Sequence, residues 1–87
     1  MSTADLIRQR LAALEPETFT LEDESAQHKG HAGAASGGGH FRLTLVSPKF
    51  RNLSTLARHR LVYDAMGELM QREIHALSIT ALTPEEL

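Results

Sequence analysis

His40-Phe41-Arg42-Leu43-Thr44-Leu45-Val46-Ser47 alternates apolar and polar side chains, with Phe41, Leu43 and Leu45 on one face and His40, Arg42 and Thr44 on the other. A period of two is the pattern of a strand with one buried face. Ile74-His75-Ala76-Leu77-Ser78-Ile79-Thr80-Ala81 alternates as well, placing His75, Leu77 and Ile79 on one side and Ile74, Ala76 and Ser78 on the other. Between these two runs the period changes. Ser54 fits an N-cap, and Leu56, His59, Tyr63, Met66 and Met70 recur at helical spacing in a stretch that reaches about Arg72. This stripe is expected to face inward and to bury His59, and Gly67 within it costs about 1 kcal/mol relative to Ala without necessarily ending the helix. A helix that carries the chain from one strand to the next in the same sheet makes the two strands parallel, so this crossover decides the fold.

Upstream, Thr18 to Asp23 also alternates, with Phe19 and Leu21 sharing a face, and reads as a strand able to pair antiparallel with His40–Ser47. Ser2 to Leu14 places Ile7, Leu11 and Leu14 on one helical face, with Ser2 and Asp5 as start signals and Pro16 as the stop. Downstream, Thr83-Pro84-Glu85-Glu86 looks like a cap and first helical turn. The order helix, strand, strand, helix, strand gives an α+β sandwich in which helices cover one face of a three-stranded mixed sheet. The other face should be more polar and open to partners. At 87 residues with 41% hydrophobic content the chain fits one small domain, residues 1–87, of marginal stability.

Glu24 to Gly39 holds five of the six glycines and no large apolar side chain. A connection of this length between paired strands is functional or disordered more often than structural, and it is expected to be mobile in the free protein. With no Cys, the chain has no disulfide, thiolate metal site or cysteine nucleophile. A formal net charge of −2 argues against generic nucleic-acid binding. No run approaches the roughly 20 apolar residues of a membrane span, and the default compartment is the cytoplasm.

Five histidines are the compositional oddity. His28 and His31 form a His-x-x-His pair in the loop, where they are either imidazole ligands or parts of a solvated polar segment. His40 opens a strand and caps the loop, while His59 and His75 read as structural on their own spacing. Gly30-His31-Ala32-Gly33 matches the G-x-x-G of KH domains but lies between strands rather than helices. Arg58-His59-Arg60 could touch phosphate, and Glu22, Asp23 and Glu24 read as a solvated charge run. No nucleophile and base pair is recognisable, so an enzyme is not expected.

Taken in order, Asp23-Glu24-Ser25, His28, Gly30-His31-Ala32-Gly33, His40-Phe41 with Val46-Ser47, Phe50, Arg58-His59-Arg60 with Val62-Tyr63, Ile74-His75-Ala76-Leu77 and Thr83-Pro84-Glu85 resemble the BolA family from about residue 5 onward. The resemblance implies a class II KH-like αββαβ sandwich. It also implies a 2Fe-2S cluster shared with a monothiol glutaredoxin and its glutathione, with none expected in the isolated chain, itself a monomer or weak dimer. On that reading the metal ligands are His75 and a loop histidine, His28 or His31, and replacing thiolates by imidazole raises the cluster potential. Arg58, His59 and Arg60 would contact a partner or nucleic acid, because a DNA-binding transcriptional regulator is the family's other proposed role. Arg51-Asn52 departs from the pattern, since many members carry a glycine there.

Overall fold

The computed structural model describes residues 1–24 and 39–87. Helix α1 (Thr3–Leu11) starts in a reciprocal cap: the Ser2 hydroxyl accepts the Asp5 N–H at 3.1 Å and the Asp5 carboxylate accepts the Ser2 N–H at 3.3 Å. A 3-10 turn, Ala12–Leu14, extends it and ends at Glu15, whose φ of 50° places it in the left-handed region just before Pro16. Ile7, Leu11 and Leu14 are buried, as their spacing predicts.

Strands β1 (Thr18–Asp23) and β2 (Gly39–Val46) pair antiparallel, from Thr18 opposite Val46 to Asp23 opposite Phe41. Strand β3 (Ile74–Leu82) lies parallel to β2, giving the order β1-β2-β3. Phe41, Leu43 and Leu45 face the helices and are buried, while Thr18, Thr20, Glu22, Arg42, Ser78 and Thr80 are exposed on the open face. The mixed sheet and the one-sided helical cover agree with the crossover reading.

The crossover itself differs in two respects. Helix α2 (Thr55–Met66), capped by the Ser54 hydroxyl accepting the Ala57 N–H at 3.1 Å, stops at Gly67, whose φ of 57° and ψ of −128° suit only glycine. A short helix, α3 (Leu69–Arg72), then leads into β3. The buried face of this region is Val62, Met66 and Leu69, whereas Leu56 is 62% and Tyr63 41% exposed and His59 is only partly covered. Of the expected stripe, Met66 is buried and Met70 partly buried, while Leu56, His59 and Tyr63 lie about 100° from the face that packs. Arg58 lies on the buried face instead, its side chain covered and its guanidinium at the rim among polar partners.

The second correction concerns β3. Gly39 pairs with Ile74 but His40 pairs with Ala76, so His75 is an extra residue in the ladder. This bulge places Ile74 in the core and His75 on the exposed side, not with Leu77 and Ile79 as strict alternation predicts. After Leu82 the cap read from Thr83-Pro84 forms, with Thr83 and Glu86 in a reciprocal capping box, and the turn it opens, Pro84–Glu86, is 3-10. No helix among the described residues is long and apolar enough to cross a membrane.

Candidate functional site

Two imidazoles meet where β2 and β3 begin. The ring centroids of His40 and His75 are 4.9 Å apart with an interplanar angle of 38°. His75 comes to this position through the bulge, and His40 through ordinary alternation on the open face of β2. The backbone around them is fixed at three points. The Glu24 N–H donates to the His40 carbonyl at 2.7 Å, closing the two described ends of the loop onto each other. The Gly39 N–H donates to the Glu73 carbonyl at 3.1 Å, tying the start of β2 to the end of α3. Gly39 also lies under the ring of Phe41, which a Cβ at this position would strike. His40 therefore caps the loop with its main chain, while its ring lies against that of His75.

The polar neighbour is Arg42, which reaches Glu24 at 3.4 Å and partly neutralises the acidic end of β1. His75 is exposed and His40 partly buried, with its Nε2 shielded from solvent. Neutral imidazoles are good ligands for iron, zinc and copper, but two of them are half of a four-ligand set. No group of three or more metal-binding side chains occurs among the described residues. A metal held here needs further ligands from elsewhere, which suits a site completed by a second molecule. His28, His31 and the Gly30 to Gly33 motif, with the expected mobility of their loop, lie outside the described residues.

Arg58-His59-Arg60 does not form one surface. The Arg58 Nε–H donates to the Leu53 carbonyl at 2.9 Å, and its Nη1 donates to the Ala81 carbonyl at 3.1 Å and to Glu86 at 2.6 Å. This contact and the Thr83 N–H, at 2.7 Å, lower the Glu86 carboxyl from its ordinary 4.5 to about 2. Arg51 grips Glu85 in the same two-pronged way, lowering that carboxyl as well. Arg60 is exposed and His59 half-covered. Sequence reasoning missed His40 as a member of the site and missed both arginine ties. The alternation of β2 already put His40 on the open face, whereas nothing local announced contacts across the chain from Arg58 to Glu86.

The family model described as "BolA-like protein" matches residues 11–86. "BolA-like protein 1" of Mus musculus is 44% identical over 85% of this chain, which spans 52% of that relative's length. "DNA-binding transcriptional regulator BolA" of Haemophilus influenzae is 33% identical over 99% of this chain and 82% of its own. The solved "BolA domain of SufE1 from Arabidopsis thaliana" superposes with a TM-score of 0.85 at 41% identity, covering 100% of this chain and 98% of that one.

Proposed function

The chain belongs to the BolA family, and from that premise we propose that it is a non-enzymatic adaptor that holds a 2Fe-2S cluster jointly with a monothiol glutaredoxin and glutathione. The observation that supports this reading is the pair of imidazoles, His40 and His75, gathered at the open end of the sheet beside the loop that carries His28 and His31. His75 would be the ligand set by a strand, and His40, His28 or His31 the second donor. Because the chain has no Cys, the thiolates would come from the glutaredoxin and glutathione. When bound, such a cluster supplies one-electron chemistry at a potential raised by imidazole ligation. The bulge turns the His75 ring outward, Gly39 keeps the entry to β2 compact, and the exposed hydroxyl-rich face leaves room for a second protein.

Mixing the chain with a monothiol glutaredoxin, glutathione, ferrous iron and sulfide should produce a visible cluster spectrum distinct from that of the glutaredoxin alone. His75→Ala should lose that distinct spectrum. An unchanged spectrum after replacing His28, His31, His40 and His75 together would refute imidazole ligation. A DNA-binding regulator is the second reading, favoured by the name of the Haemophilus influenzae relative and by the exposed Arg60. It requires sequence-selective binding by the isolated chain that weakens steeply with salt.

A further inference from the structure

The chain is acidic overall, with a formal net charge of −2, but its charge is unevenly spread. Residues 48–63 hold four of the nine lysines and arginines, Lys49, Arg51, Arg58 and Arg60, and neither Asp nor Glu. Three of these cations are met by carboxylates from other parts of the chain. Lys49 meets Glu15 loosely, at 3.8 Å. Arg51 and Arg58 are held more closely, by the consecutive residues Glu85 and Glu86 of the last 3-10 turn. The Arg51 Nε–H donates to Glu85 Oε1 at 2.8 Å and its Nη2 to Oε2, while Arg58 donates from Nη1 and Nη2 to the two oxygens of Glu86 at 2.6 and 3.2 Å. Each contact is the two-pronged grip that a guanidinium gives a carboxylate and a phosphate alike.

Two properties make the turn displaceable. None of Pro84, Glu85 and Glu86 is buried, so the turn is fastened by charge and by its cap, not by apolar packing. An ion pair between half-exposed side chains, such as Arg51 and Glu85 at 51% and 58% exposure, holds weakly and yields to competing ions. Arg58, by contrast, is set in place without Glu86, because its Nε–H donates to the Leu53 carbonyl and its Nη1 to the Ala81 carbonyl. When the turn leaves, Arg58 keeps its position and offers the same fork to another anion. On the DNA-binding reading given above, we propose that Glu85 and Glu86 mask an anion-binding surface made by Arg51 and Arg58, whose outside ligand is the phosphate backbone of duplex DNA. The phosphates must displace two carboxylates to reach the arginines, so the acidic turn acts as a built-in competitor and wild type binds weakly. Glu17, whose charge also reaches Arg51, lies outside the turn and stays when it leaves.

The test is fluorescence anisotropy of a labelled mixed-sequence DNA duplex titrated with the full chain, starting at about 50 mM salt. The double variant Glu85→Gln/Glu86→Gln should bind about tenfold or more tightly than wild type, with a salt slope steeper by about two as two more phosphates are engaged. Glu22→Gln/Glu68→Gln removes the same charge from exposed positions at the other end of the sheet and should gain less than about threefold. Glu85→Gln alone, which opens a half-exposed pair that contributes little to stability, should already bind about threefold more tightly. Adding Arg51→Gln to the double variant should take back about threefold or more. If wild type binds and the double variant gains no more than the Glu22→Gln/Glu68→Gln control, the mask is overturned and DNA binding stands. If neither wild type nor the Glu85 and Glu86 variants bind the duplex at the lowest salt, the DNA-binding reading falls and the mask with it.

Discussion

Because β2 and β3 run parallel, they begin together at Gly39 and Ile74 and finish together at Val46 and Leu82. The end where they finish is densely tied. Ser47 is fully buried, donates its hydroxyl to the Leu14 carbonyl and accepts the Lys49 N–H at 3.0 Å. Its own N–H reaches the Leu82 carbonyl at 2.9 Å, and the Glu17 N–H reaches that of Val46 at 2.7 Å. Arg58 and Arg51 then bind the last turn through Glu86 and Glu85. Among the described residues, the end where they begin has two main-chain ties, Glu24 to His40 and Gly39 to Glu73, with the ion pair of Arg42 and Glu24, a bulge and two tilted imidazoles. One end is thus held by buried and charged side chains, the other chiefly by its main chain.

That division predicts where substitutions hurt. Gly39→Val should cost the most, about 3 kcal/mol, because its side chain must displace the buried Phe41 ring; chemical denaturation would measure it. Here the candidate site's end is tightly packed as well, so a neutral result would show that Phe41 can yield. Ser47→Ala should cost about 2 kcal/mol by stranding the buried Leu14 carbonyl, and should leave cluster assembly with glutaredoxin untouched. If assembly fails as well, the two ends are coupled.

Glu86 sharpens the comparison through acid. Its folded carboxyl titrates near 2 and its ordinary value is 4.5, so the stability it contributes is present above pH 4.5 and is lost as pH falls toward 2. Glu86→Gln should therefore be less stable than wild type at neutral pH and lose less stability between pH 4.5 and 2, as read by circular dichroism. His59→Ala should have the smallest effect, about 0.5 kcal/mol or less, since the ring is only partly covered. A loss of several times that size in thermal denaturation would return His59 to the core.

The period-two runs read as Thr18–Asp23 and His40–Ser47 are β1 and, to within one residue at each end, β2, with Phe19 and Leu21 half-buried on the first and Phe41, Leu43 and Leu45 buried on the second. Their reading required only local pattern. The helix stripe held at Met66 and failed at Leu56, His59 and Tyr63, because two adjacent faces of α2 both carry apolar residues and the inward one also takes Arg58, which finds Leu53, Ala81 and Glu86. Such partners are distant in the chain and leave no periodic trace. Asn52 shows the intermediate case. Its departure from the family's usual glycine was visible in the sequence, and its φ of 64° supplies the reason for that glycine, a left-handed turn that Asn tolerates better than most residues. At the candidate site, His75 was legible by resemblance, but its direction depended on a register shift, which residue types do not announce.

That shift makes the placement of the His75 ring a matter of parity. In an unbroken ladder Gly39 would sit opposite His75, and the ring would point among the helices with Leu77 and Ile79. One surplus residue reverses this, so the side of the sheet on which the imidazole stands is fixed by counting residues between Glu73 and Leu77, not by their identities. A deletion or insertion of a single residue in that interval could retain every histidine in the chain and still remove one from reach of a partner. Among relatives, spacing there should be guarded as strictly as composition.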